Sequence, residues 1–149
     1  MPAVAYARRG VNAATASASP AITDWLKVRA ANLFTVFPDG RVDMTAANGG
    51  ERRVVGGSKT ASDYTVTVDG TLNSSTGGWG VYLRATSNAT SSNLTAYCVQ
   101  VDQGFGQVIV RQIQNDAELN VPLARATPSP AGLTGRHRVV AHIVGNTLS

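Results

Sequence analysis

Three consecutive runs between Gly78 and Ile113 constrain what this chain can fold into more than anything else in it. GWGVYLRATSN, LTAYCVQVDQG and FGQVIVRQI alternate apolar and polar residues with a period of two, the pattern of half-buried β-strands. In the first run Trp79, Val81, Leu83 and Ala85 fall on one face, and Gly80, Tyr82, Arg84 and Thr86 on the other. In the second, Tyr97, Val99 and Val101 oppose Ala96, Cys98, Gln100 and Asp102; in the third, Val108 and Val110 oppose Gln107, Ile109 and Arg111. As neighbours in a sheet, these strands build a core on one face and gather Tyr82, Arg84, Gln100, Asp102 and Arg111 on the other. That polar patch is the one site-like feature of the sequence, and the residues alone do not name its ligand.

Much of the remaining chain follows the same pattern. Asp63 to Leu72 alternates, with Tyr64, Val66 and Val68 inward and Thr65, Thr67 and Asp69 outward; His137 to Val144 puts Val139, Ala141 and Ile143 on one face. Leu33 to Phe37, the turn Pro38-Asp39-Gly40 and Arg41 to Met44 predict a hairpin. After the loop Ala46 to Glu51, Arg52 to Val55 reads as a short strand. Val121 to Ala124 reads as another, and Pro122 assigns it to an edge or a bulge. Ile22 to Ala31 fits either a short capped helix or, by preference, an entry strand that tucks Trp25 into the core. Met1 to Pro20 is rich in Ala and Ser without clear periodicity, which predicts a flexible lead-in before a β-domain over 21–149. Gly145-Asn146 turns the chain into Thr147-Leu148-Ser149, so the sequence stops as a strand begins, the pattern expected of a truncated domain. About ten short strands separated by turn signals, without βα alternation, predict an all-β fold: an antiparallel two-sheet sandwich or jelly roll.

Composition narrows the function classes. At 149 residues the chain is one domain by length, and charged residues make up 15%, well below the usual ~25%. The formal net charge is +4, but the arginines are dispersed and no aromatic-interleaved basic stripe appears, so nucleic acid is not an expected partner. No apolar run approaches the ~20 residues of a membrane-spanning helix. Arg8-Arg9 is followed by GVNAATASASP, small and polar, which is not the apolar core of a signal peptide. Cys98 is the single cysteine, which excludes an intrachain disulfide and a cysteine-based zinc site.

Motifs for chemistry are sparse. The chain has no nucleophile elbow, no HExxH, no P-loop and no EF-hand loop. His137 and His142 are an odd number of residues apart, on opposite strand faces, and cannot share a metal from one face. Asp102 has no carboxylate at matching phase on the neighbouring strands; Arg84 and Arg111 are expected to face it, an ion-pair cluster rather than an acid/base pair. Asp63, Asp69 and loop oxygens are candidate calcium ligands, but their spacing specifies no site and no cofactor is expected. Asn73, Asn88 and Asn93 head glycosylation sequons in a chain rich enough in Ser and Thr to hold that many by chance.

The order Gly-Trp-Gly-Val-Tyr-Leu-Arg-Ala (78–85), polar loop, Tyr97-x-x-Gln100-Val-Asp102-x-Gly104, basic strand, Pro122-Leu-Ala, His137-Arg-Val and Gly145-Asn-Thr resembles bacterial concanavalin A-like (laminin-G-like) domains over about Leu33 to Ser149. The Gly-x-x-x-Arg strand followed by Tyr-x-x-Gln-x-Asp is also similar to the 3-keto-disaccharide hydrolase family, which shares that fold. In that family the tyrosine is typically followed by glutamate; here Cys98 stands at that position, so the best candidate acid is missing. The resemblance implies a jelly roll and a carbohydrate-related role.

Three functions are therefore expected in turn. The first is a non-catalytic recognition domain of an extracellular or surface protein, binding a glycan or cell-surface polysaccharide on the patch formed by Tyr82, Arg84, Gln100, Asp102 and Arg111. The second is a structural or adhesion module of a phage virion or surface appendage, with other domains or virion proteins as partners. The third is a glycoside-processing hydrolase.

Overall fold

The structure, a computed structural model, describes residues 3–8, 11–16, 26–29, 34–38, 41–44, 51–56, 62–72, 75–86, 94–128 and 132–149. Fourteen strands are defined among them: β1 (Ala3–Arg8), β2 (Val11–Ala16), β3 (Leu26–Arg29), β4 (Phe34–Val36), β5 (Arg41–Met44), β6 (Glu51–Gly56), β7 (Tyr64–Leu72), β8 (Gly78–Leu83), β9 (Ala96–Asp102), β10 (Gln107–Gln114), β11 (Ala117–Glu118), β12 (Ala124–Ala126), β13 (Gly135–Val144) and β14 (Thr147–Leu148). They form two antiparallel sheets. The larger runs β11-β10-β9-β8-β1-β6-β3, with β12 also on β10; the smaller runs β14-β13-β7-β2-β5-β4. The fold is all-β and sandwich-like, as the alternation predicts.

The five strongly alternating stretches all form strands, β7, β8, β9, β10 and β13, and they supply most of the core. Val66, Val68 and Leu72 from β7, with Val139, Ala141 and Ile143 from β13, pack against Trp79, Val81 and Leu83 of β8 and Val99 and Val101 of β9. Tyr64, Val108 and Val110, expected in the core, are half-buried against it. Trp79 occupies the centre with no exposure, and Gly70 of β7 makes room for it. A Cβ at Gly70 would lie 2.3 Å from the indole Cε2, so a glycine inside an otherwise regular strand marks the point where the other sheet approaches. Gly78 has a comparable role within its sheet, since a Cβ there would meet the Val101 carbonyl oxygen at 2.2 Å.

The hairpin predicted around Pro38 is present as β4 and β5, with Val36 opposite Val42 and Phe34 opposite Met44; Asp39 and Gly40 lie outside the described residues. The preferred strand in 22–31 appears as β3, while Trp25 lies outside the described residues, as do the 45–50 loop, residues 87–93 and the sequon residues Asn73, Asn88 and Asn93. Two expectations change. The stretch read as a flexible lead-in contains β1 and β2, and β1 pairs with β6 on one side and β8 on the other. Its alanines offer little apolar contrast, so the period-2 pattern is faint although small residues fit a sheet. Of the short strand expected over Val121 to Ala124, only Ala124 is in one, as the first residue of β12; Val121 to Leu123 are not strand. Leu119 N still bonds Gln112 O and Leu123 N bonds Val110 O, so the segment between β11 and β12 bulges away from β10 at Asn120, Val121 and Pro122. The edge position that proline implies is correct, because β11 and β12 border the larger sheet.

Candidate functional site

The five residues that alternation assigns to one polar patch do not form an open surface. Tyr82, Gln100 and Asp102 are 3%, 1% and 7% exposed. Their side of the larger sheet carries a second apolar cluster, with Tyr82 and Cys98 packed among Ala85, Leu94, Ala96 and Ile113. Every residue of β8 is buried, so both faces of the larger sheet are covered there. Register explains which members meet. Gln100 stands opposite Ile109 and Asp102 opposite Gln107, which puts Arg111 diagonal to Gln100. Arg111 Nε donates to Gln100 Oε1 at 3.2 Å, and Gln100 Nε2 donates to Asp102 Oδ2 at 3.3 Å. Arg111 also forms an ion pair with Glu118 Oε2 at 3.5 Å, and Asp102 Oδ1 accepts the Phe105 N–H at 3.1 Å, closing the β9–β10 turn. Glu118, Arg111, Gln100 and Asp102 are thus linked in one chain of polar contacts. Asp102 fastens a turn, rather than orienting an arginine.

Arg84 leaves the patch altogether. β8 ends at Leu83, and Arg84 adopts φ 51°, the left-handed region that a long side chain enters at a cost of about 1–2 kcal/mol. Three contacts hold it there. Its backbone N–H donates to Tyr64 Oη at 2.7 Å, Nε donates to the Ser62 carbonyl at 3.0 Å, and Nη2 reaches Asp63 Oδ1 at 3.0 Å. Asp63 Oδ1 also accepts the N–H of Gly145, so the carboxylate ties Arg84 to the β13–β14 turn. Burial pushes the Tyr64 phenol above its ordinary value, opposed by the Arg84 N–H and the Arg84 charge. A strained residue fixed by long-range contacts is a frequent mark of a functional position.

Arg84 lines a cleft of about 390 Å³ between the adjacent borders of the two sheets. Apolar contacts come from Val110 of β10 on one side and Ile143 and Leu148 on the other; Tyr97, Gln112 and Asn146 add an aromatic ring and amide donors and acceptors. Leu123, at the end of the bulged segment, forms a lip. Sequence alternation places Tyr97 on the core face of β9, but not its partial exposure at this border. Nothing local announces the cleft, because its two walls, Val110 on one side and Ile143 and Leu148 on the other, come from residues more than 30 positions apart. The described lining carries no carboxylate.

A second charged group lies on the outer face of the smaller sheet. Asp69 is 5% exposed, although alternation directs it outward, because Arg138 and Arg136 lie over it. Arg138 stands directly opposite Asp69 across β7 and β13, and Arg136 opposite Thr71, so both reach the same carboxylate. Arg138 donates from Nε to Oδ1 and from Nη2 to Oδ2, each at 2.8 Å; Arg136 Nη2 donates to Oδ2 at 3.1 Å. The Arg138 hydrogen bonds lead in lowering the Asp69 carboxyl from 3.8 to about 2, against the opposing effect of burial and with help from Arg136. Asp63 and Asp69, the carboxylates considered for calcium, are each engaged by arginine. Among the described residues no group of three or more His, Cys, Asp or Glu side chains is arranged to hold a metal ion. No helix among them is long and apolar enough to cross a membrane.

Comparison of the chain with protein-family models, curated proteins and solved structures returns no match.

Proposed function

We propose that this chain is a non-catalytic recognition domain of an extracellular or surface protein, that its two sheets form a jelly roll of concanavalin A-like type, and that it binds carbohydrate at the Arg84 cleft. The single observation that carries the proposal is that Arg84, held by Tyr64, Ser62 and Asp63, lines a partly apolar cleft. Carbohydrate recognition combines stacking of C–H faces on an aromatic ring with hydrogen bonds to hydroxyls, and Tyr97, Gln112, Asn146 and Arg84 offer both kinds of contact. Holding Arg84 before the ligand arrives reduces the ordering cost of binding. The buried Tyr82–Gln100–Asp102 face is assigned a structural role instead. Glycoside hydrolysis is the weaker alternative, since it calls for two carboxyl groups flanking the scissile bond and the described cleft lining offers none.

The test is a panel of oligosaccharides measured by calorimetry against wild type, Arg84→Ala and Gln112→Ala. Loss of a direct hydrogen bond to a charged group costs about 1.5–3 kcal/mol, so Arg84→Ala should weaken binding at least tenfold without unfolding the domain. A panel that stays blank, or variants that bind as wild type does, would remove the proposal.

One observation favours a second reading, a structural module of a virion or surface appendage. Val121 is 78% exposed, and Leu123 and Leu119 beside it are 56% and 38% exposed. Three large apolar side chains within five residues suit packing against another protein. In that case Val121→Asp would reduce assembly with the neighbouring virion protein and leave oligosaccharide binding unchanged.

A further inference from the structure

The outer face of β7 and β13 is a polar ladder with regular spacing. Thr65 stands opposite His142, Thr67 opposite Val140, Asp69 opposite Arg138 and Thr71 opposite Arg136. Alternate residues along a strand lie about 6.6–6.8 Å apart, so the threonines form one row and the arginines, valine and histidine a second beside it. At one end of the ladder a buried carboxylate holds two guanidiniums whose side chains are 67% and 58% exposed. Two positive charges against one negative leave a net positive site. Only three guanidinium N–H groups are committed to Asp69, out of the five donors each arginine carries. The remaining donors of two planar forks therefore stand at the solvent face in a fixed arrangement, which is the geometry that takes an oxyanion in two-pronged fashion.

We propose that Arg136 and Arg138, held by Asp69, form an anion-binding site for sulfate ester groups on a linear polysaccharide lying along the β7–β13 ladder. The site lies on the outer face of the smaller sheet, whereas the Arg84 cleft opens between the sheets, so it does not depend on binding at that cleft. A sulfated polysaccharide fits better than a nucleic acid for two reasons. The cationic group spans two alternate residues rather than a long stripe, and the described outward residues of the ladder include no Trp, Tyr or Phe for base stacking; the one imidazole, His142, is hydrogen-bonded to Thr65 at the far end from the arginines. Thr67 and Thr71 add hydroxyls beside the arginines, and exposed Val140 offers an apolar contact for a sugar ring.

The experiment measures retention on immobilised dextran sulfate at physiological ionic strength, with unsulfated dextran and duplex DNA as comparators. Arg125 on β12 of the other sheet is exposed and provides an equal change of charge elsewhere. Arg138→Gln should weaken dextran sulfate binding about tenfold or more, Arg136→Gln several-fold, and Arg125→Gln less than about twofold. Asp69→Asn separates a positioned site from general attraction. It raises the net positive charge, which alone would tighten binding, yet it releases both forks and should weaken it. Thermal melting confirms that each variant is folded; if Asp69→Asn is not, the Arg136→Gln and Arg125→Gln pair decides. Tighter binding by folded Asp69→Asn, an equal loss in Arg125→Gln, no binding to dextran sulfate, or equal retention on duplex DNA would each overturn the proposal.

Discussion

Replacing Asp69 with asparagine should destabilise the protein by an amount that depends on pH in one direction only. Folding lowers the Asp69 carboxyl from 3.8 to about 2, led by the Arg138 hydrogen bonds. The ionised form is therefore the one that the fold favours. Its contribution is whole above pH 4 and is lost as pH falls toward 2. A displacement of just under two pH units corresponds to about 2.5 kcal/mol at most. Both arginines stand more than half exposed, at 67% and 58%, and solvent screening reduces the figure to about 1–2 kcal/mol. Urea denaturation of wild type and Asp69→Asn gives the difference at each pH, and the other carboxylates cancel because both proteins carry them. The expected gap is about 1–2 kcal/mol at pH 7, shrinking by half or more at pH 2 and in 1 M sodium chloride. A gap that stays constant over pH 7 to pH 2 would show that asparagine disturbs packing rather than an ion pair, and the electrostatic reasoning would fail.

Gly70→Ala should cost at least 2–3 kcal/mol in urea denaturation, because the added methyl meets the Trp79 indole ring and neither sheet can withdraw without opening the core; a loss below ~0.5 kcal/mol would contradict the packing. Cys98, 1% exposed, should resist iodoacetamide in the native state and react at the rate of unfolding, as mass spectrometry would show; rapid native labelling would mean that the second apolar cluster is open. Among the described residues β13 has β7 along its length but β14 and Ser149 only from His142 to Val144, so the β13 amides that face away from β7 before His142 should exchange hydrogen faster than those of β9. Equal protection in the two strands would show that this border is covered.

The strands with strong apolar contrast were legible in the sequence because alternation is a local signal: β7, β8, β9, β10 and β13 can each be read from their own residues. β1 and β2 were not, since Ala-rich segments contrast weakly and join the sheets through long-range pairing. Alternation also identifies two faces of a strand without saying whether the second is wet. Tyr82 and Gln100 are amphipathic enough to suit water or a buried polar network, and burial of β8 on both sides decided it. The departure of Arg84 could not be read locally, because Tyr64, Ser62 and Asp63 hold its left-handed backbone from about twenty residues away. The Asp69 cluster was hidden for a related reason. It depends on the register that sets Asp69 opposite Arg138, and no residue-by-residue pattern reveals register between strands 69 positions apart. Gly70 did leave a trace, a lone glycine inside a regular strand, and that signal could have located the Trp79 contact.

Recognition through the Arg84 cleft is tested most directly by chemical-shift mapping of isotopically labelled protein titrated with neutral oligosaccharides. Saturable shifts should centre on the Arg84 side-chain Nε–H and the amides of Tyr97, Gln112 and Asn146, and they should disappear in Arg84→Ala while its remaining spectrum stays folded. Shifts confined to Leu119–Leu123, or none with any sugar at millimolar concentration, would contradict binding at the cleft.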